Sequence, residues 1–577
     1  MNLLKTIENE IDSYLNKEVD LSDGVKFLQA KLIRRISFYQ NQIYPKGKTD
    51  SQGNYRYFYD IVSPRINSEV KNIDFDTKDV AIYSEATLID KLAILLSNLF
   101  LRKWLVQNKK GEEINDAIEN FSAWGNVVWK KIKGGYDQVD LKNFYVLNQV
   151  AKTLDDSDVI ERHILTQSDL RAKKGIWENV EEVIKSCGNR YFSATEKSTD
   201  IEMTTKFYEI YERNGEVSEK DLLEVQKKQG GNEENYVMAK IIVAGLKNEQ
   251  GRFVLFAEEI KDKPYKEAHR GRYDGRWFRK GLYEILFDCQ TRANEIGNQL
   301  SRGLEWASKT IFRSSDTLII QNALTDMRSG DIIKAKELAQ VEMRMQGFDQ
   351  LVADWNRNIQ LANELANSYE VVTGENLPSG TPFRLGALQN QNANKLFDFL
   401  REKLALALEE LFNDWIVPEM MKELRAKEVL DLTGSEEHLK EYYEMLTKAW
   451  YINNLLSFPP HSTEQGEMLR NLKLEELKKN KKAMIEIEDG FWDKFKPRAK
   501  VVISGEGVNL LVELESLYSF ISLEQDPIRR TAMIEMAMAK KGLDLTSLPK
   551  SPPQPITPAT PTQGMAALGG KMPILTT

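Results

Sequence analysis

The sequence predicts an α+β protein in which helix predominates, and three observations carry that expectation. Apolar residues recur at helical spacing over long stretches, most clearly at Leu282, Ile285, Leu286, Cys289, Ala293, Ile296, Leu300, Leu304 and Ala307. Alternating runs rich in β-branched and aromatic residues, such as YVMAKIIVAGL and GRFVLFAEEI, are confined to the first half. With 577 residues the chain is longer than a single hydrophobic core usually organises, so several folding units are expected.

Residues 1–40 read as helical, through Leu4, Ile7, Ile11 and Leu15 and then Val25, Leu28, Leu32 and Ile36. The run YPKGKTDSQGNYRYF breaks the pattern with Pro, Gly, Asp and Asn. A helix is expected from about Glu85 to Gln107; its apolar run Leu92–Leu101 is closed by Arg102 and Lys103, which marks a buried helix and not a membrane span. AWGNVVWKKIKGGYDQVDL reads as short strands with a hairpin at Lys133–Tyr136. Strand segments then lead into a helix capped by Thr166 or Ser168, and strands recur in MTTKFYEIYER and the two runs quoted above. One long helix is predicted over 281–307, a small module over 308–345, and helices over about 348–369 and 392–424. A charged helical region over 436–450, a strand at KVVISGE and two final helices close the folded part near Asp544, followed by a Pro-rich tail.

Composition restricts the function. The formal charge of −8 and the pI near 5.5 argue against a protein that coats nucleic acid, so any contact with DNA must be local. Cys187 and Cys289 stand outside any C-x-x-C spacing, which points to a reducing compartment and away from a disulfide framework or zinc site. The start, MNLLKTIENEIDSYL, carries acidic residues where a signal peptide needs an apolar core.

No constellation in the sequence reads as catalytic. There is no Gly-x4-Gly-Lys-Ser/Thr loop to cradle phosphate, and GEGVNLLVE lacks the third glycine of a dinucleotide fingerprint. His163, His269, His438 and His461 are scattered without H-E-x-x-H or a neighbouring cysteine, and there is no G-x-S-x-G elbow. The carboxylates Asp155, Asp156 and Asp158, or Glu178, Glu181 and Glu182, could gather around Mg²⁺ but read more simply as solvated turns and helix faces. Neither a metal nor a cofactor is expected.

Two segments carry more signal. HRGRYDGRWFRKG interleaves Arg270, Arg272, Arg276, Arg279 and Lys280 with Tyr273, Trp277 and Phe278. Such a block can grip phosphates and stack on bases. The plainer reading has its aromatics anchored in a core and its arginines paired with carboxylates of a neighbouring element or subunit. GENLPSGTPFRLGALQNQNANK, from Gly374 to Lys395, reads as a long loop between two helices, and its amide-rich end could touch a polyanion through weak neutral hydrogen bonds.

In order and spacing these segments resemble the portal proteins of tailed bacteriophages, the rings at one capsid vertex. The resemblance is carried by GRWFRKGLYEILFDCQTRANEIGNQLSR, by ELANSYEVVTGENLPSGTPFRLGALQNQNANKLFDFL, and by the strand-rich run from Ala123 to Leu170. It covers about two thirds of the chain and implies a wing over 1–280, a first stem helix over 281–307 and a clip over 308–345. A second stem helix would follow over 346–373, then a tunnel loop and long helix over 374–424, the remainder of the wing over 425–504, a crown over 505–545 and a flexible tail over 546–577.

The resemblance further implies a ring of about twelve subunits in the virion, assembled in the host cytoplasm, with no enzymatic turnover and no membrane. Double-stranded DNA would pass through it during packaging and ejection, and its partners would be the large terminase, the major capsid protein and scaffold, and a tail adaptor. Arg384, Gln389, Asn390, Gln391, Asn392, Asn394 and Lys395 would then face the channel, and Arg270, Arg272, Arg276, Arg279 and Lys280 would form an intersubunit or wing-to-stem joint. The competing classes are another virion component, such as an adaptor or ejected internal protein, and a nucleic-acid enzyme subunit.

Overall fold

The computed structural model describes residues 2–501 except 45–46, 50–52, 76, 85–87, 188–205, 247–250, 309–310, 314–338, 342–346, 369–382, 426–428, 432–442, 445, 449, 452–462, 480–483, 487–491 and 493–494. The expected crown, Pro-rich tail and final two helices, and most of the expected clip and of the 436–450 helix, therefore lie outside the described residues. The first part comprises α1 (Asn2–Asn16), β1 (Val19–Ser22), β2 (Val25–Phe27), α2 (Gln29–Gln40), α3 (Ser63–Ile73), β3 (Val80–Tyr83), α4 (Leu88–Gln107), α5 (Lys110–Trp124), β4 (Asn126–Ile132), β5 (Gly135–Gln138) and β6 (Phe144–Val146). Next come β7 (Val159–Thr166), α6 (Gln167–Ala172), α7 (Val180–Ser186), β8 (Phe207–Ser218), α8 (Glu219–Val225), β9 (Tyr236–Ala244), β10 (Phe253–Glu259) and β11 (Tyr265–His269). The more helical remainder holds α9 (Leu282–Ile285), α10 (Phe287–Ser308), β12 (Ile311–Arg313), β13 (Ala339–Val341), α11 (Phe348–Ala366), α12 (Phe383–Leu411), α13 (Val417–Arg425), β14 (Val429–Asp431), α14 (Thr463–Lys479), β15 (Met484–Glu486) and β16 (Arg498–Val501). The protein is thus mixed α+β with helix in excess.

The strand-rich half is organised by a five-stranded antiparallel sheet in the order β10-β9-β8-β7-β6. Its period-two pattern divides it cleanly between two faces. Ile241 and Val243 of β9, with Tyr211 and Ile160, pack against Ile7 and Ile11 of α1, whereas Ile242 and Ala244 pack with Tyr208 and Ile210 against Leu170, Val180 and Val183 of α6 and α7. The turn into α6 uses Thr166, whose hydroxyl accepts from Asp169 N at 3.3 Å while Asp169 reaches back to Thr166 N at 3.0 Å, a reciprocal cap. A second sheet, β11-β4-β5, gives Trp129, Tyr136 and Ala268 to the largest core and Val128 and Tyr265 to a core that also holds Phe144 and Val159 of β6 and β7.

The largest core joins α4, α5, α12 and α13 with β3 and β16. The apolar run of α4 is buried there through Leu96, Phe100, Leu101, Trp104 and Leu105, and no described helix is long and apolar enough to cross a membrane. Pairing of β16 with β3 returns the chain near residue 500 to an element near residue 80.

Three expectations need correction. The helical reading of residues 1–40 is interrupted by the β1–β2 hairpin, because Asp23-Gly24 supplies a turn in which Gly24 takes φ +77°. The single helix over 281–307 is broken at Leu286, where φ −95° and ψ 5° leave the helical range and separate α9 from α10. The long loop ends early: α12 begins at Phe383, directly after Pro382, since beyond that proline only Gly386 disfavours helix and the Ala, Leu, Gln and Asn residues tolerate it. Gln389–Asn394 consequently lie in a helix and not in a loop.

Candidate functional site at the base of the paired helices

Helices α10 and α11 run antiparallel. Arg292 Nη2 donates to Asp354 Oδ2 at 2.6 Å, and one turn away in opposite directions Asn358 Nδ2 donates to Cys289 O at 2.9 Å. The two strands β12 and β13 follow and precede these helices in the chain and pair antiparallel with each other, so the connection closes on itself. The apolar stripe is buried at Leu282 and Leu286 and, along α10, at Cys289, Ala293 and Ile296, but Leu304 is 56% exposed. On α11, Leu361 and Leu365 are 47% and 41% exposed.

An extended strap, residues 57–61, lies along α10 and is held by side-chain amides spaced four residues apart. Tyr57 N donates to Asn298 Oδ1 at 2.8 Å, Tyr59 N to Asn294 Oδ1 at 2.8 Å, and Ile61 N to Gln290 Oε1 at 3.0 Å. Gln290 and Asn298 complete the ladder by donating to Tyr59 O and Tyr57 O. The register works because four helical residues rise about 6 Å and two extended residues about 6.6 Å. The Tyr59 ring closes over Gly297, where a Cβ would come within 2.4 Å of it.

The Arg/aromatic block forms the joint beneath these helices. Trp277 and Phe278 are fully buried, and Trp277 Nε1 donates to Glu267 at 2.6 Å. Arg270 makes a bidentate pair with Glu69 of α3 at 2.7 and 2.8 Å, and Glu69 is entirely buried. Arg276 donates to both oxygens of Glu284 in α9 at 2.7 Å and lies over the Phe27 ring. Arg279 stacks 4.3 Å from the Tyr273 centroid and donates to the carbonyls of Arg276 and Lys152. Burial lowers the Arg279 pKa from its ordinary value. These three guanidiniums are thus engaged within the chain.

Arg272 and Lys280 differ: both remain exposed, 89% and 54%, around Asp274. Lys403 of α12 reaches the joint and donates to the carbonyls of Arg270 and Gly271; burial, with the nearby Arg279 and Arg270 charges, lowers its pKa. At the centre sits the buried Asn126, whose Nδ2 donates to Trp124 O and Arg279 O while its Oδ1 accepts from Arg279 N.

A second charged centre escaped the sequence reading. Glu161 and His163 alternate on one face of β7, and pairing with β8 places Glu212 opposite Glu161. Among the described residues these three form the group whose geometry could hold a metal ion. Lys130 from β4 already occupies that position: its Nζ lies 2.6 Å from Glu161 Oε2 and 2.7 Å from Glu212 Oε2. Lys240 Nζ lies 2.9 Å from Glu212 Oε1, and His163 Nε2 lies 3.2 Å from Glu212 Oε2. Burial opposes ionisation of Glu212, but the His163 hydrogen bond and the Lys130 and Lys240 charges outweigh it and hold the carboxyl well below the usual range. Burial likewise opposes the Lys130 charge, and Glu212 and Glu161 raise its pKa in spite of it. The signal in the sequence was the alternation E-R-H; its partner strand could not be read from one segment.

Of the residues expected to face a channel, Arg384, Gln389, Asn390, Gln391, Asn392 and Asn394 lie on the α12 backbone with their side chains outside the described residues, and Lys395 is exposed on the same helix. The amides of Gln290, Asn294 and Asn298 were missed, although their i, i+4, i+8 spacing beside the apolar stripe is visible in the sequence. Compared with known proteins, the chain matches no family model and no curated protein.

Proposed function

We propose that this chain is a portal protein of a tailed bacteriophage, assembling into a ring of about twelve copies that conducts double-stranded DNA through one capsid vertex. The observation that carries the reading is the antiparallel α10–α11 pair, rising from an Arg/aromatic joint and followed by the long α12. In this reading α10 and α11 are the stem helices, the joint fixes their departure from the wing, and the exposed leucines Leu304, Leu361 and Leu365 are covered by neighbouring copies. Exposed apolar side chains favour such burial.

The electrostatics suit a conduit. A chain of formal charge −8, repeated around a ring, repels phosphates and keeps the duplex from adhering to the wall. The packaging ATPase, the large terminase, would dock on the segment between α10 and α11, and a tail adaptor would replace it afterwards; the major capsid protein and scaffold would surround the wing. The chain itself would have no turnover.

The test is the assembly state. Purified protein, alone or with scaffold, should run in mass photometry at about twelve times 66.4 kDa and give rings by electron microscopy. A monomer at every salt concentration, with no rings, removes the reading. Mg²⁺-dependent ATPase or nuclease activity of the isolated chain would favour an enzyme subunit instead.

A further inference from the structure

Helix α12 buries one side and leaves the other without a partner. Phe397, Leu400, Leu404, Leu408 and Leu411 enter the largest core. On the opposite side Phe399 and Leu406 are 56% and 57% exposed, and Asp398, Glu402 and Glu410 are exposed with them. At about 100° per residue these positions fall within about 120° of the helix circumference, so they form one stripe of apolar and acidic side chains. Asp398 and Glu402 stand four residues apart, a like-charge spacing that destabilises a helix left to itself. Among the described residues no cation pairs with Asp398, Glu402 or Glu410. Lys403 and Arg401, on the same helix, are turned to other acceptors: Lys403 to the carbonyls of Arg270 and Gly271, Arg401 to Asn72 O. Lys395, exposed near the start of the stripe, offsets only part of its charge.

The complementary patch lies at the end of α4. Arg102, Lys103 and Val106 are exposed there, Val106 at 72%, and Lys109 is exposed in the turn that follows. Arg102 and Lys103 precede Val106 by four and three residues, so the three side chains share a face. No carboxylate among the described residues pairs with Arg102, Lys103 or Lys109, and Glu112, at the start of α5, leaves the patch positive. Other basic segments fit less well. Lys174 is already paired with Glu181 at 3.0 Å, and the β4–β5 tip offers only Lys131 and Lys133 around Ile132, with Asp137 exposed on the paired strand. Both the α12 stripe and the α4 end are exposed within one copy, so a contact between them has to join two copies.

We propose that the α12 stripe of one copy docks on the α4 end of a second copy, with Phe399 and Leu406 closing over Val106 and the carboxylates of the stripe meeting Arg102, Lys103 and Lys109. Two different patches meet, so the contact is head-to-tail and passes from copy to copy, closing as a ring or running on as an open chain. It uses neither α10 nor α11 and does not rest on the portal reading.

Sedimentation velocity of the full chain over a concentration series tests the contact. Self-association should weaken as salt rises. Glu402→Lys with Glu410→Lys, and separately Arg102→Glu with Lys103→Glu, should each weaken it by about tenfold or more at an unchanged melting temperature, since all four side chains are exposed. All four changes in one chain should recover most of the association, because the charges are then exchanged and not removed. Should a reversal lower the melting temperature, Glu402→Gln with Glu410→Gln, which keeps the size of the side chains, decides in its place. Lys131→Glu with Lys133→Glu should associate as the wild type does. A wild-type chain that stays monomeric at every concentration, unchanged association in either reversed pair, no recovery in the fourfold variant, or an equal loss from the Lys131 and Lys133 changes overturns the proposal. Rings that persist in both reversed pairs refute this contact and leave the portal reading standing, whereas open chains that the reversals dissolve support the contact even where no ring closes.

Discussion

Gly125 and Gly281 meet backbone to backbone. A methyl group on Gly281 would lie 2.3 Å from Gly125 N, and one on Gly125 would lie 2.5 Å from Gly281 N. This contact brings the end of α5 against the start of α9, and Arg270 N donates to Gly125 O at 3.0 Å beside it. The direction in which α9 and α10 leave the strand-rich half is therefore set where no side chain fits.

Replacing either glycine should be costly, because the obstructing atoms are backbone and cannot rotate away. For Gly281→Ala, overpacking of this kind costs about 1–3 kcal/mol or more. Gly125→Ala should be worse, since Gly125 has φ +80° and the left-handed conformation adds about 1–2 kcal/mol for a residue with a Cβ. Denaturant midpoints measured for both variants should fall in that order. A wild-type midpoint for Gly281→Ala would remove the claim that the contact is close-packed.

The strap offers a local test. Asn294→Ala removes the acceptor of Tyr59 N and leaves a partly buried donor without its partner, worth about 0.5–1.5 kcal/mol. Hydrogen exchange at Tyr59 and its neighbours Tyr57 and Ile61 should accelerate by about tenfold or more, whereas the α10 amide of Gln290, bonded to Leu286 O, should keep its protection. Equal acceleration in both places would mean that the ladder stabilises α10 as a whole and does not specifically clamp the strap.

What could be read from the sequence follows from the range of the interactions involved. Strands β8, β9 and β10, the Lys133–Tyr136 hairpin and the Thr166 cap depend on periodicity and on contacts between near neighbours, and each was legible. The apolar stripe on α10 was also visible, but the break at Leu286 was not, because the apolar spacing runs through it without interruption. The arginines of the joint drew attention by their density; that Arg270 meets Glu69 and Arg276 meets Glu284 required the fold, since one partner lies about 200 residues away. The Lys130 centre was least legible. Its members come from β4, β7, β8 and β9, and no single segment contains enough of them to form a pattern.

The exposed pair around Asp274 separates fold from assembly. Arg272 and Lys280 are largely solvated in one copy, so reversing either charge should leave the melting temperature nearly unchanged, within about 0.5 kcal/mol. On the portal reading, Arg272→Glu with Lys280→Glu should shift the mass distribution from rings towards smaller species at low salt. An unaltered distribution would confine both residues to a local turn.

Acid sensitivity should trace to Glu212. Its folded pKa is depressed below the ordinary value of 4.5, so its contribution to stability is fully present above that pH and is lost as the pH falls from there towards the folded value. Glu212→Gln should therefore flatten the dependence of stability on pH below about 4.5 while lowering stability at neutral pH. Denaturant titrations at a series of pH values would detect it, and an unchanged slope would show that other carboxylates govern acid unfolding.

Removing Lys130 turns the same centre into a stricter test. Glu161 and Glu212 are 12% and 6% exposed, and taking away the ammonium between them leaves Glu212 with Lys240 and Glu161 without its lysine in a poorly hydrated site; breaking a buried pair in this way costs up to about 3–5 kcal/mol. In Lys130→Ala the vacated space would be bounded by two carboxylates and the His163 imidazole, whose donor atoms all lie within 4.8 Å of one another. Oxygen and imidazole nitrogen donors in that number suit Zn²⁺, which takes ligands at about 2.0–2.2 Å. The variant should be destabilised without metal and should recover much of its melting temperature with Zn²⁺, whereas the wild type, with its own cation in place, should not respond. Adding His163→Ala to the variant should abolish the recovery. An equal Zn²⁺ effect on wild type and variant would mean that Lys130 does not occupy a cation position at all.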